Sequence, residues 1–344
     1  MYASYQPSYA PRRMPVNRQQ ANKAPSKNKL KRFKNLFFIG GIIVIFIVSI
    51  TSFGTSSASA LGGPIKSGLQ GYCLDDHQGK LLPGNKVDLW RCNSTSAQDW
   101  QVTLTHVMHG GNYCLSAASK NSLVINKCDL SPAEVWLPDD KGLINPNLGL
   151  CLSAGQPGQS ALSMEPCSSP STTSQTFFSG INYATYKCTG NQGEKVACEA
   201  VKQWYNWTSE PNNHPSLLNT YTGGTPYEEW CADFVSYVYQ QAGFAFTNGN
   251  YGWDENNANG IINQGFAYHS VNGYTPAVGD VGYFTYNGGH VEIVVSGGPH
   301  PTFVYGNSGT IDPTTGNGEM ATNTYTSYPG EGKLSYYMSP TSAT

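Results

Sequence analysis

The chain has 344 residues and a formal net charge of −2, with 12% charged residues against 39% hydrophobic ones. Its 20 Lys and Arg are balanced by 22 Asp and Glu, and the basic residues concentrate before residue 35, so the remainder is acidic and nucleic acid is excluded as a partner. Abundant Gly, Ser, Thr, Asn and Tyr suit short strands, turns and a surface that meets carbohydrate, and the length suits two domains.

Residues 1–35 are rich in Tyr, Pro and Gln, end in a basic run from Lys27 to Lys34, and read as a disordered cytoplasmic tail. An uncharged apolar stretch from Leu36 to Phe53 follows, long enough as a helix to span roughly 27 Å of bilayer. Gly54 to Ala60 then closes on Ala58-x-Ala60, the small-residue pattern of a signal-peptidase site. Residues 36–60 are therefore expected to form an N-terminal membrane-targeting helix. It is either a signal peptide cleaved after Ala60, the favoured reading, or an uncut single transmembrane anchor. Both predict an extracellular location, secreted or anchored to the outer face of the cytoplasmic membrane.

All nine cysteines lie downstream of that segment. Eight fall into near pairs: Cys73 with Cys92, Cys114 with Cys128, Cys151 with Cys167, and Cys188 with Cys198. In an exported protein such a set reads as a disulfide framework. Cys231 is left over, and it reads as a reactive thiol or as a buried or intermolecular cysteine. No cysteine pair has the close spacing of a zinc site, so no metal and no cofactor are expected.

Residues 71–178 hold a threefold repeat with a period of about 40 residues. The units open at Tyr72-Cys73-Leu74-Asp75, Tyr113-Cys114-Leu115-Ser116 and Leu150-Cys151-Leu152-Ser153. Each runs through a turn into a strand ending on its second cysteine, and each closes on an aromatic: Trp100, Trp136 or Phe177. Alternating apolar residues between Gly, Asn and Pro turns predict strands. No unit buries its apolar face alone, so the three must share a core, with the closing aromatics at its centre. These motifs resemble the ricin-type β-trefoil lectin family, which implies an all-β trefoil over 61–180. The resemblance also implies sugar binding by Asp75, Trp90 and Gln98: a carboxylate accepts paired hydroxyls and an indole supports the C–H face of a ring. Ala97 stands where the family has an asparagine, and Ser116 and Ser153 replace the aspartate in the other repeats.

Beyond Tyr186 the repeat stops. Glu194 to Trp207 reads as a helix stapled at its start by Cys188 and Cys198, and a Pro/Asn/Gly-rich loop leads to a second helix from Trp230 to Ala242. Cys231 falls in its first turn, where unpaired N–H groups and the helix dipole favour a thiolate. Of the later histidines, His269 and His300 read as loop residues. His290 opens a strand, His290 to Val295, after the turn Asn287-Gly288-Gly289. A further strand, Thr302 to Asn307, ends on a side chain able to accept from the far imidazole nitrogen, and Glu292 is the rival for that role.

Trp230-Cys231-Ala232-Asp233-Phe234-Val235, Gly279-Asp280-Val281, Gly289-His290-Val291 and Gly306-Asn307 together resemble the CHAP family of cysteine, histidine-dependent amidohydrolases and peptidases. That resemblance implies an α+β papain-like domain over 186–344, with Cys231 as nucleophile, His290 as base and Asn307 as orienter. Asp280 is expected to cap a turn. The stretch before the cysteine lacks the carboxylates of the calcium loop some members carry. The expected protein is an exported peptidoglycan hydrolase, its partners peptidoglycan and cell-surface glycan. The alternative is a non-catalytic surface lectin or adhesin with a degenerate hydrolase fold.

Overall fold

A computed structural model describes residues 61–155, 161–224, 229–244, 266–285, 289–308, 318–325 and 334–340. The expected tail (1–35) and targeting segment (36–60) lie outside the described residues. Among the described residues no helix is long and apolar enough to cross a membrane.

The first part is all β. Its strands are β1 (Leu61–Gly63), β2 (Lys66–Ser67), β3 (Tyr72–Asp76), β4 (Asn85–Arg91), β5 (Trp100–Val102), β6 (Val107–His109), β7 (Tyr113–Ser119), β8 (Ser122–Lys127), β9 (Leu137–Asp139), β10 (Gly142–Asn145), β11 (Leu150–Ala154), β12 (Leu162–Glu165) and β13 (Phe177–Phe178). They form a curled sheet in the order β1-β5-β6-β7-β8-β4-β3-β2-β13 and a smaller one in the order β12-β11-β10-β9.

The repeat in sequence is a repeat in register. In each unit the first cysteine lies opposite the residue two before the second: Cys73 opposite Trp90, Cys114 opposite Asn126, Cys151 opposite Glu165. That pairing sets the cysteine Cα atoms 5.0–5.1 Å apart in the three bridges Cys73–Cys92, Cys114–Cys128 and Cys151–Cys167, a spacing a disulfide spans without strain. Each bridge closes a loop of 14 to 19 residues, contributing on the order of 3 kcal/mol. The next pair in each ladder faces inward, Leu74 with Leu89, Leu115 with Ile125 and Leu152 with Met164. These six residues share one buried cluster with Trp100, Trp136 and Phe177. Trp100 and Trp136 donate their indole N–H to the backbone oxygens of Leu74 and Leu115, both at 2.9 Å. Phe177 has no such donor and simply fills the third position. The arrangement is the β-trefoil expected from the repeats.

The second part is α+β. Helix α1 (Gln192–Ser209) starts at a capping box: Asn191 Oδ1 accepts from the Glu194 N–H, and the Glu194 carboxylate accepts from the Asn191 N–H. The Cys188–Cys198 bridge staples its first half. Helix α2 (His214–Tyr221) lies in the stretch expected to be loop; Pro215 opens it and only Leu218 and Tyr221 are buried, too few positions to set up a periodic pattern. Helix α3 (Cys231–Gln241) follows. Strands β14 (Phe266–Ser270), β15 (Val281–Phe284), β16 (His290–Ser296), β17 (Thr302–Ser308), β18 (Glu319–Thr324) and β19 (Leu334–Pro340) make one antiparallel sheet in the order β14-β19-β15-β16-β17-β18. His269 therefore sits on an edge strand, not in a loop.

Strand alternation gives the sheet two apolar faces. Val291, Ile293 and Val295 of β16 join the helices in one cluster, while Val294 packs with Phe284, Phe303 and Tyr305 in another. Asp280 caps the turn before β15 as expected: it is buried, and accepts from the Ala277 N–H, Tyr274 Oη and Ser339 Oγ. Trefoil and helices share packing at β9, where Trp204 Nε1 donates to the Pro138 oxygen at 2.7 Å and the Asp140 N–H to Thr208 Oγ1 at 3.1 Å.

Candidate functional sites

On the trefoil, the chemistry gathers in the first repeat. Asp75 and Trp90 line a cavity of 540 Å³ with His77, Asp88, Asn93 and Ala97 among its other walls. Trp90 is 57% exposed, an unusual position for an indole unless its face is meant to be used. Gln98 stands behind this wall. It is 1% exposed and its bonds run inward, Nε2 to Asp75 Oδ2 (2.8 Å) and to the Arg91 oxygen (3.0 Å), while Oε1 accepts from the Asn93 N–H (2.9 Å). Gln98 thus positions Asp75 and the loop after Cys92.

The other repeats explain that role. Glu134 accepts from the Asp129 N–H and Gln175 from the Ser168 N–H, each at 2.9 Å and each one residue past the second cysteine. The glutamine position is therefore structural in all three units. Sequence reasoning missed Asp88, which the register sets directly across from Asp75 on the same face. Alternation along β4 was the available signal. The equivalent cross-strand pairs are Ser116 with Val124 and Ser153 with Ser163, so the two-carboxylate wall belongs to repeat one alone. Burial raises the Asp75 pKa above its ordinary value, the Gln98 hydrogen bond opposes this, and the neighbouring Asp88 and Asp76 charges add to it.

In the second part, Cys231 is the first residue of α3, buried and outside any disulfide. Its helix packs on β16 and β17. What fixes the end of that helix is the contact of Trp230 with Gly306, where a Cβ would lie 2.1 Å from the indole ring. Only glycine admits the ring so close. Trp230 in turn stacks with both Trp207 and Tyr221, each ring centroid 5.7 Å from its own. Ile293 pairs with Val304, and the His290 ring lies against Tyr305, the residue before Gly306. The start of α3, the start of β16 and the end of β17 thus meet at one end of the layer.

His290 follows Gly289, whose φ of +127° lets the chain turn sharply into β16. The imidazole lies edge-on to Tyr305, centroids 5.1 Å apart, and its Nε2 is 3.7 Å from Glu292 Oε1. Burial lowers its pKa to about 4, so the ring is neutral at pH 7. Glu292 is itself buried and continues the chain of polar contacts through Asn323 Nδ2, which also reaches Tyr305 Oη at 3.2 Å. Asn307 adopts a left-handed φ of 62°, and its Oδ1 is buried without a hydrogen-bond donor among the described residues. Glu292, weighed as the rival orienter, is the carboxylate at hand. Asn323 and Tyr305 gave no signal in sequence, because three strands have to pair before they meet.

Residues 62–177 match the family model of the ricin-type beta-trefoil lectin domain, and residues 220–307 that of the CHAP domain. The chain carries a ricin-type lectin domain followed by a CHAP domain. The ribosome-inactivating proteins SNAI and SNAIf of Sambucus nigra are 35% and 34% identical over 103 residues, 29% of this chain. The match spans 18% of the length of these curated relatives. Among solved structures, the Vibrio vulnificus hemolysin/cytolysin β-trefoil lectin with bound N-acetyl-D-lactosamine is 16% identical with a TM-score of 0.30, covering 35% of this chain and 93% of that one. The agglutinin from Abrus precatorius is 25% identical with a TM-score of 0.31, covering 36% and 49%. The CHAP match begins in α2 and ends on Asn307, so Cys231 and His290 lie inside it. Helix α1 and the Cys188–Cys198 bridge fall between the two matched regions.

Proposed function

We propose that the protein is an exported hydrolase that cleaves amide bonds in the peptide stems of bacterial peptidoglycan, with the lectin domain holding glycan. The reading rests on one observation above the rest: the single cysteine outside the disulfides opens a helix whose end is locked, through Trp230 and Gly306, beside the strand ends that carry His290 and Asn307. Helices on one face of an antiparallel sheet with this order of motifs support a papain-like CHAP fold. Four disulfides suit an extracellular protein.

In this reading neutral His290 takes the proton from the Cys231 thiol as Sγ attacks the amide carbonyl carbon. The oxyanion that forms lies against the first turn of α3, whose N–H groups have no acceptor within the helix. His290 returns the proton to the departing amine, and water then hydrolyses the thioester and regenerates the thiol. Asn307 is the orienter of the imidazole, and the Glu292 carboxylate steadies the positive charge that the ring acquires. On the trefoil, Asp75 accepts sugar hydroxyls and Trp90 supports the ring face. Holding both activities on one chain raises the local concentration of an insoluble substrate.

The test is release of new amino ends from isolated peptidoglycan by the purified protein. Release that persists undiminished in Cys231→Ala removes the nucleophile assignment. An inactive wild type that still binds wall glycan leaves the alternative, a surface lectin with a silent hydrolase fold.

A further inference from the structure

We propose that the cavity of the first lectin repeat selects an amino sugar bearing a free, positively charged amine over the N-acetylated form of the same sugar. The inference rests on the reading of this cavity as a glycan site, and narrows its ligand.

The argument is one of charge in a confined space. Asp75 and Asp88 are cross-strand partners, 6% and 3% exposed, and both line the 540 Å³ cavity. A neutral sugar satisfies one carboxylate by donating a pair of hydroxyls, which leaves the second to be balanced by the protein. The protein balances it incompletely. Asp88 Oδ2 accepts from His77 Nδ1 at 2.8 Å, but Asp88 Oδ1 is buried and has no hydrogen-bond partner among the described residues. The other cation near it is Lys86, whose Nζ stays 4.0 Å away on a side chain that is mostly in solvent. Asp75 Oδ2 receives only the uncharged amide of Gln98. Asp76, behind the wall, adds a third negative group, but it is paired with His109 at 3.4 Å. Two nearly buried carboxylates thus face one cavity against one imidazole and one distant ammonium. Burying like charges this way is costly unless a cation joins them. An ammonium on the sugar supplies that charge and up to three N–H donors while its ring lies on the exposed face of Trp90. An N-acetyl group in the same place brings one donor, no charge, and an added carbonyl that faces two carboxylates.

The experiment compares a disaccharide of N-acetylglucosamine with its fully de-N-acetylated form, titrated calorimetrically into the full protein at mildly acidic pH and low salt. The amine form is expected to bind about tenfold more tightly. Asp88→Asn, which keeps the shape and removes the charge, is expected to bring the two within about twofold. Trp90→Ala is expected to weaken both. Equal or tighter binding of the N-acetylated sugar by the wild type overturns the proposal without any variant having to fold, while leaving the cavity as a glycan site. A preference for the amine that survives undiminished in Asp88→Asn also overturns it, because the amine is then attracted to acidic surface elsewhere. Failure to bind either sugar removes both the proposal and the glycan reading beneath it.

Discussion

The two candidate sites are built in opposite ways. In the trefoil, Asp75, Asp88, Trp90 and Gln98 all come from a single repeat; one hairpin register brings the first three together, and a hydrogen bond to Asp75 ties in Gln98. In the CHAP domain, the proposed site residues Cys231, His290 and Asn307 come from a helix and two strands, and their elements come together only when the sheet has formed and α3 has docked on it. The difference shows in what each can lose. Repeats two and three keep the inward Leu/Ile/Met pair, the disulfide and the acceptor that holds the loop, yet carry Ser116, Val124, Ser153 and Ser163 where repeat one has its carboxylates. Ligand positions there are separate from fold positions, so binding can vanish while the fold stays. In the CHAP domain the residues next to Cys231 and Asn307, namely Trp230 and Gly306, are the contact that docks the helix.

The largest effect expected is the one that breaks the hydrolase alone. Cys231→Ala removes a buried sulfur, leaves Trp230 and Gly306 in place, and should lower amide release from peptidoglycan by at least about a thousandfold. Retention on a wall-glycan column should be unchanged. Loss of retention in this variant would mean that the two halves are not separable in the way their construction implies.

The complementary break is Trp90→Ala. Because the indole is more than half exposed, truncation should leave thermal unfolding within about 0.5 kcal/mol of wild type. Glycan retention should fall by roughly ten- to a hundredfold, the loss of a stacking face. Amide release from short soluble stem peptides should be untouched, while release from intact wall drops. Unchanged retention makes the trefoil a spacer.

Much of this was legible before any coordinates, and the reasons are local. The three Cys–Leu openings and their closing aromatics fixed the trefoil because each unit repeats the same hairpin, so Cys73, Cys114 and Cys151 announce one another. The four disulfides followed from proximity in the chain. In the hydrolase the order of motifs brought out Cys231, His290 and Asn307, since glycine turns and strand starts are short-range signals. What stayed hidden depends on pairing across strands. Asp88 became a cavity wall only when its register with Asp75 was known. The Glu292–Asn323–Tyr305 contacts span three strands. Gln98 was read as a ligand contact because it matches a position of the lectin family's motif; its three inward bonds show the position that Glu134 and Gln175 also fill.

The neighbours of His290 give a finer separation. Asn307→Ala should reduce the rate of amide release by about ten- to a hundredfold with little change in KM, the signature of a ring that has lost its guide. Glu292→Gln keeps a side chain of the same size but removes the charge 3.7 Å from Nε2. A larger loss in Glu292→Gln than in Asn307→Ala would transfer the orienting role to the carboxylate.

Acid provides a probe that acts on the hydrolase site without mutation. Burial holds the His290 pKa near 4, below the ordinary value of 6.5, so the base stays competent well into acid. The acid limb of the rate profile is expected near pH 4 to 5, about two units below that of an exposed histidine. The same shift acts on stability. The unfolded chain takes up a proton below pH 6.5 that the folded ring refuses, so stability is full above that pH and declines as pH falls toward 4. His106, half-buried in the trefoil with its Nε2 enclosed, is also lowered to about 4 by desolvation and adds a decline of the same sign. An acid limb near pH 6.5 would contradict a desolvated imidazole at the rate-determining step.

The smallest effect tests the claim that the glutamine position of the trefoil is structural. Glu134 is a carboxylic acid in a place where repeats one and three have Gln98 and Gln175. Those amides donate to the oxygens of Arg91 and Pro166, one residue before the second cysteine, while accepting from the residue after it. A carboxylate can only accept, and burial raises the Glu134 pKa to about 7, with the nearby Asp129 charge adding to it against the Asp129 N–H. The folded state therefore holds a proton that the unfolded chain, titrating near 4.5, has already released. Stability from this residue is greatest at and below pH 4.5 and is lost as pH rises through 7. Glu134→Gln supplies the amide of the other repeats and has no proton to lose. The variant should match wild type at pH 4 and exceed it by about 2 kcal/mol at pH 8 in denaturant unfolding, with screening by nearby solvent already discounted. A constant difference across that range would mean that the acid is ionised throughout, and that the second repeat holds its loop by a different bond from the first and third.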